Sequence, residues 1–139
     1  MSAEPRGAAL LFNYVTTMKA LIMDDDMVHQ YIIERCFKEY GINTIPATTA
    51  HEGIEHAILE RPEIVLINSV LPDMEGLEVL SLMQDDERLR SIPVVIISTS
   101  ADPGVIQAAR DKGAFSFIGK PVTKDKIQEL YRAVWGMRT

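Results

Sequence analysis

Four short apolar runs in this chain end in side chains that could handle a cation and a phosphoryl group. The run Ala20–Met23 leads into Asp24, Asp25 and Asp26; Ile64–Ile67 ends in Asn68; Val94–Ile97 ends in Ser98 and Thr99; Phe115–Ile118 ends in Gly119, Lys120 and Pro121. Adjacent carboxylates repel by about 4 kcal/mol at 4 Å and an effective dielectric of 20. Such a cluster persists where a divalent cation or an ammonium group compensates it. Mg²⁺ takes hard oxygen ligands and bridges carboxylates to phosphate oxygens. Asp25 suits the cation and Asp24 the supporting carboxylate, while Ser98 offers a hydroxyl and Lys120 an ammonium. The plainer alternatives are that Asp24–Asp26 cap a helix and favour its positive end, that Ser98 is a turn residue, and that Lys120 is a solvated charge. Their coincidence at one edge of one sheet argues against all three holding together.

That common edge follows from the elements. The apolar runs lack the apolar/polar alternation of a half-exposed strand and suit parallel strands covered on both faces. A weaker fifth run spans Asn43–Ala47. Between the runs, apolar residues recur at helical spacing. Val28, Ile32, Ile33, Cys36, Phe37 and Tyr40 form one stripe, and Ile127, Leu130, Tyr131, Val134 and Trp135 another; stripes of this kind face a core. Thr49 with Glu52 reads as a capping box, Asp102-Pro103 as an N-cap followed by a first-turn proline, and Gly41 and Gly113 as helix C-terminal glycines. Five strands alternating with five helices imply a parallel α/β sheet wound by right-handed crossovers, with helices on both faces. Ligands of such sheets bind beyond the carboxyl ends of the strands.

Composition narrows the partners. The 139 residues suit one domain, and 20 acidic against 14 basic residues give a charge of −6, which gives no general attraction to nucleic acid or an anionic membrane. No stretch approaches the ~20 apolar residues of a membrane span. The lone Cys36 fits a reducing compartment and reads as a small core residue. These features point to the cytoplasm. His29, His51 and His56 form no metal cluster with Cys36 and read as surface residues. Residues 1–17 precede the first strong pattern and read as an N-terminal extension, either disordered or a packing arm; residues 18–139 form the domain.

Taken together, Ala20-Leu21-Ile22-Met23-Asp24-Asp25-Asp26, Leu71-Pro72-Asp73-Met74-Glu75-Gly76, Pro93 through Ser98, Gly113-Ala114 and Lys120-Pro121 resemble the receiver domains of bacterial two-component response regulators. The resemblance covers about residues 19–135. It implies a flavodoxin-like, doubly wound five-stranded sheet of strand order 2-1-3-4-5, and an acidic pocket at Asp24 and Asp25. It implies that Ser98 is the switch hydroxyl, Phe117 the switch aromatic and Lys120 the phosphate-binding lysine, often followed by a cis-proline bond. It also implies a sensor histidine kinase or downstream signalling protein as partner, and pairing through the face of the fourth helix, fifth strand and fifth helix.

One departure matters most. The family's phosphoacceptor aspartate lies at the end of the third strand, four residues before the proline; here that residue is Asn68, four before Pro72. A carboxamide has no charge and a delocalised nitrogen lone pair, so it is not the activated nucleophile that covalent catalysis needs. Its oxygen still accepts hydrogen bonds or a metal, but Mg²⁺ binding should be weakened. Asp73 is expected to cap the third helix, and Ser69 to face away from Asn68 if the strand continues. The leading reading is a single-domain receiver, not an enzyme, that takes no phosphate at Asn68 and acts through protein contacts. A close alternative is a phosphoaccepting receiver whose aspartate was replaced by asparagine. An alternative of another class is a haloacid-dehalogenase-like Mg²⁺-dependent phosphatase, since Asp24-Asp25-Asp26-Met27-Val28 fits an Asp-x-Asp-x-Val pattern; after Lys120 only Asp125 and Glu129 could complete its acidic site.

Overall fold

Five β/α units follow one another along the chain, and the computed structural model describes them over residues 18–136. The elements are β1 (Lys19–Met23), α1 (Met27–Lys38), β2 (Asn43–Ala47), α2 (Ala50–Glu60), β3 (Ile64–Asn68), α3 (Gly76–Asp85), β4 (Val94–Ser98), α4 (Pro103–Asp111), β5 (Ser116–Gly119) and α5 (Lys124–Trp135). The strands are all parallel in the order β2-β1-β3-β4-β5, as the alternating pattern requires. The extension at residues 1–17 lies outside the described residues.

Successive strand residues point to opposite faces, so each apolar run feeds two cores. Ala20, Ile22, Ile64, Leu66, Val95 and Ile97 join Ile33 and Phe37 of α1 and Ile127, Leu130 and Trp135 of α5. Leu21, Met23, Val65, Ile67, Val94 and Ile96 join Ala50 and Ala57 of α2, Val79, Leu80 and Met83 of α3, and Ala109 of α4. This explains the missing polar alternation: both faces of β1, β3 and β4 are covered. Cys36 is buried in the first core, and that burial pushes its thiol pKa up. Val28 departs from the expected stripe. It lies in the first turn of α1, where the helix has only begun to meet the sheet, and is 65% exposed.

The caps hold the tips in register. Thr49 Oγ1 accepts the Glu52 N–H at 3.1 Å, and Glu52 Oε1 accepts the Thr48 N–H at 2.8 Å. Asp102 Oδ1 accepts the Val105 N–H at 3.0 Å, with Pro103 opening α4. Gly41 and Gly113 turn the chain at φ +73° and +99°, a region that costs other L-residues 1–2 kcal/mol or so.

Candidate functional site

Strand register places the chemistry-bearing residues side by side. Met23 pairs with Ile67, Asn68 with Ile97, and Ser98 with Gly119. Asp24, Asn68, Ser98 and Lys120 therefore occupy neighbouring tips at one sheet edge. Phe117 sits lower on β5, opposite Ile96, half-buried against the core beneath α2–α4.

At the β1 tip, Asp24 is fully buried. Its Oδ1 accepts the Asp26 N–H at 2.9 Å, and its Oδ2 lies 3.3 Å from His29 Nδ1. Asp25 is exposed. Asp26 N-caps α1, accepting the N–H groups of Val28 and His29 at 2.9 and 3.3 Å. Those two backbone donors, His29 first, hold its carboxyl below the ordinary carboxylate pKa; the charges of His29 and Lys120 add to the effect. Sequence reasoning missed Gln30 altogether. It is buried in α1, and its Nε2 donates to the carbonyls of Ile22, Asp24 and Ala47 at 2.8, 3.0 and 3.1 Å. One amide thereby ties the helix to the tips of β1 and β2.

The β3 tip is built differently. Asn68 is buried, and its Nδ2 donates to the Val70 carbonyl at 2.9 Å. A carboxylate has no proton to give there. Ser69 corrects the sequence expectation: β3 ends at Asn68, alternation lapses, and Ser69 Oγ donates to Ser98 Oγ at 3.0 Å. The buried Ser98 hydroxyl also accepts the Ser100 N–H at 3.1 Å.

Asp73 corrects a second expectation. It caps α2 rather than the third helix, accepting the Ala50 and His51 N–H groups at 2.8 and 3.0 Å. The loop after β3 folds back over the neighbouring helix, and Glu75, the N-cap residue of α3, makes no side-chain cap hydrogen bond. The two backbone donors, Ala50 first, hold the Asp73 carboxyl below its ordinary range. At the β5 tip, Lys120-Pro121 is cis. Lys126 Nζ donates to the carbonyls of Gly119 and Pro121 at 2.7 and 3.0 Å, fastening the loop that carries Lys120. Of the histidines, His51 is exposed, whereas His29 is half-buried against Asp24 rather than a surface residue. The packing of α1 on the β1 tip turns its ring inward.

The oxygens of Asp24, Asp25 and Asn68 are hard donors of the kind Mg²⁺ takes, and these residues would hold it; when bound, it would neutralise the carboxylates. Both Asp24 oxygens are already engaged, and among the described residues no three His, Cys, Asp or Glu side chains converge as a metal set. The fit is that of a weak site.

A doubly wound sheet in this order, with acidic, hydroxyl and ammonium groups on adjacent tips, is the architecture of a receiver module. The family model of the response regulator receiver domain matches residues 20–132, and the chain belongs to that family. The chain is similar to the polar-differentiation response regulator DivK of Brucella ovis, at 28% identity over 120 residues, covering 86% of this chain and 98% of DivK. Its fold is that of the chemotaxis response regulator CheY4 of Vibrio cholerae, with a TM-score of 0.78 at 19% identity over 84% of this chain and 98% of that one. The receiver domain of a sensor histidine kinase from Pseudomonas aeruginosa, solved with magnesium coordinated in its active-site cleft, gives a TM-score of 0.77 at 19% identity, over 86% and 98% of the two chains. The family match places the chain with the signalling receivers.

Proposed function

We propose that this receiver takes no phosphoryl group on residue 68 and signals from the cytoplasm through protein contacts. The observation that carries the reading is the Asn68 amide, which is inert as a nucleophile and serves instead as a donor to the Val70 carbonyl of its own loop. The Ser69–Ser98 hydrogen bond supports it, because the expected switch hydroxyl already has protein partners. The partner is a sensor histidine kinase or a downstream signalling protein, in keeping with the response regulators it resembles. The α4–β5–α5 face, with Phe115 exposed and Phe117 half-buried, is the surface for pairing or partner contact. In this reading Asp24 and Asp25 form the acidic pocket, Ser98 and Phe117 the switch pair, and Lys120 the phosphate-facing ammonium.

The test is intact mass after incubation with acetyl phosphate and Mg²⁺. The chain should show no acyl-phosphate adduct, and Asn68→Asp should gain one that hydroxylamine discharges. A hydroxylamine-sensitive adduct on the unaltered chain would overturn the reading.

A further inference from the structure

A second candidate nucleophile stands in the first turn of α1, against the β1 tip. His29 Nδ1 lies 3.3 Å from Oδ2 of the fully buried Asp24 and 3.8 Å from Oδ2 of Asp26. A carboxylate only accepts, so Nδ1 carries the proton and the lone pair of the neutral ring sits on Nε2. Nε2 has no hydrogen-bond partner among the described residues, and it is not among their buried unpartnered atoms. It is therefore not sealed from solvent, on a side chain 21% exposed whose other edge faces two acids. A base or nucleophile oriented by a third group is the recurring form of an activated side chain.

We propose that His29 accepts a phosphoryl group on Nε2 from a phosphorylated-imidazole or other phosphoramidate donor. The Nε2 lone pair attacks phosphorus, and the P–N bond of the donor breaks with its electron pair leaving on nitrogen. With inorganic phosphoramidate, whose nitrogen is already protonated, ammonia departs and no further proton is required. The product ring keeps its Nδ1 proton and gains a positive charge, which faces the Asp24 carboxylate. One P–N bond replaces another, so no oxidant, reductant or further reactant is needed. His51 and His56 differ in setting: the first is exposed, and the second faces Glu52 at 3.9 Å, a partly exposed carboxylate on its own helix. Neither has a buried carboxylate behind it.

The proposal goes beyond the silence of residue 68 and is tested separately. The full chain is treated with potassium phosphoramidate, and the gain of about 80 Da per phosphoryl group is mapped to peptides under alkaline conditions. The expected result is an acid-labile, alkali-stable adduct that forms first on His29, is lost in His29→Gln, survives His51→Gln and His56→Gln, and forms more slowly in Asp24→Asn. Labelling spread evenly over the three histidines, labelling confined to His51 and His56, or none at all overturns the proposal. Peptide mapping on the unaltered chain decides the matter even if His29→Gln fails to fold. A hydroxylamine-sensitive adduct would instead count against the reading of residue 68 and leave the mapping of His29 to stand or fall on its own.

Discussion

The β1 and β3 tips lie side by side, yet they are held by opposite means. The β1 tip is a charged corner. Asp24 is buried against a backbone N–H and an imidazole, Asp26 caps α1, and Gln30 ties the helix to strand carbonyls. Its groups are anchored by side chains. The β3 tip is neutral, anchored by an amide, a pair of hydroxyls and one backbone bond. Asn68 bonds to its own loop, Ser69 bonds to Ser98, and the Gly76 N–H donates to the Ser69 carbonyl at 2.8 Å. The contrast separates two demands on a receiver pocket. The charged corner gathers carboxylates, while the neutral corner engages an amide and two hydroxyls in hydrogen bonds within the protein.

The difference should be visible first in the glycines. A Cβ at Gly76 would lie 2.6 Å from the Asn68 carbonyl oxygen and 3.0 Å from Ser69 Cα, both backbone atoms that have no free rotation to escape by. Gly76→Ala should cost about 3 kcal/mol, the upper range for overpacking. A Cβ at Gly53 would first meet the Met23 side chain, which can change rotamer, so Gly53→Ala should cost less. Urea denaturation of the two variants measures the gap, and equal losses would erase the distinction between the corners.

A second, smaller effect is expected at Asn68 itself. Asn68→Asp replaces the donor to Val70 with an acceptor and sets a third carboxylate beside Asp24 and Asp25. Leaving a buried acceptor unpaired costs about 1–3 kcal/mol, so the variant should unfold at lower denaturant concentration. Added Mg²⁺ should recover much of the loss in the variant and change the parent little. A variant as stable as the parent without Mg²⁺ would mean that the amide bond to Val70 contributes nothing.

Asp73 gives the smallest effect and sharpens the pH dependence. Its carboxyl is held below the ordinary aspartate range, chiefly by the Ala50 and then the His51 N–H. A group with a depressed folded pKa contributes stability that is present above its unfolded pKa and lost as pH falls through the folded value. The Asp73 contribution should therefore be complete above about pH 4 and fade below it. In thermal melts, Asp73→Asn should lower Tm near neutrality and flatten the fall in Tm below that pH. A parallel pair of curves would show that the bridge from loop to α2 is not what titrates.

Much of the site was legible before any coordinates. Asp24, Asn68, Ser98 and Lys120 each follow an apolar run, and a parallel sheet brings the ends of such runs to one edge. The caps at Thr49 and Asp102 and the turns at Gly41 and Gly113 were equally plain, because each depends on residues within one helical turn. Partners across loops were not. Asp73 reaches α2 across 23 residues, Ser69 reaches Ser98 across 29, and Gln30 reaches Ala47 across 17. No local pattern encodes those distances. His29 was misjudged for the same reason: its place on α1 could be read from spacing, but the ring's direction depends on how the helix packs on β1.

The order of apolar runs and helical stripes determined the architecture and the edge where polar residues gather, since burial on both faces leaves a strand few other arrangements. The identity of residue 68 as an amide was likewise plain from the chain alone, with its chemical inertness. What only tertiary structure decided is how that amide is used and what surrounds it: a donor to Val70, a serine pair beside it, and an imidazole held by a buried acid. Those relations depend on hydrogen-bond geometry fixed to within a few tenths of an ångström, which emerges only when helices and loops from distant parts of the chain settle on the sheet.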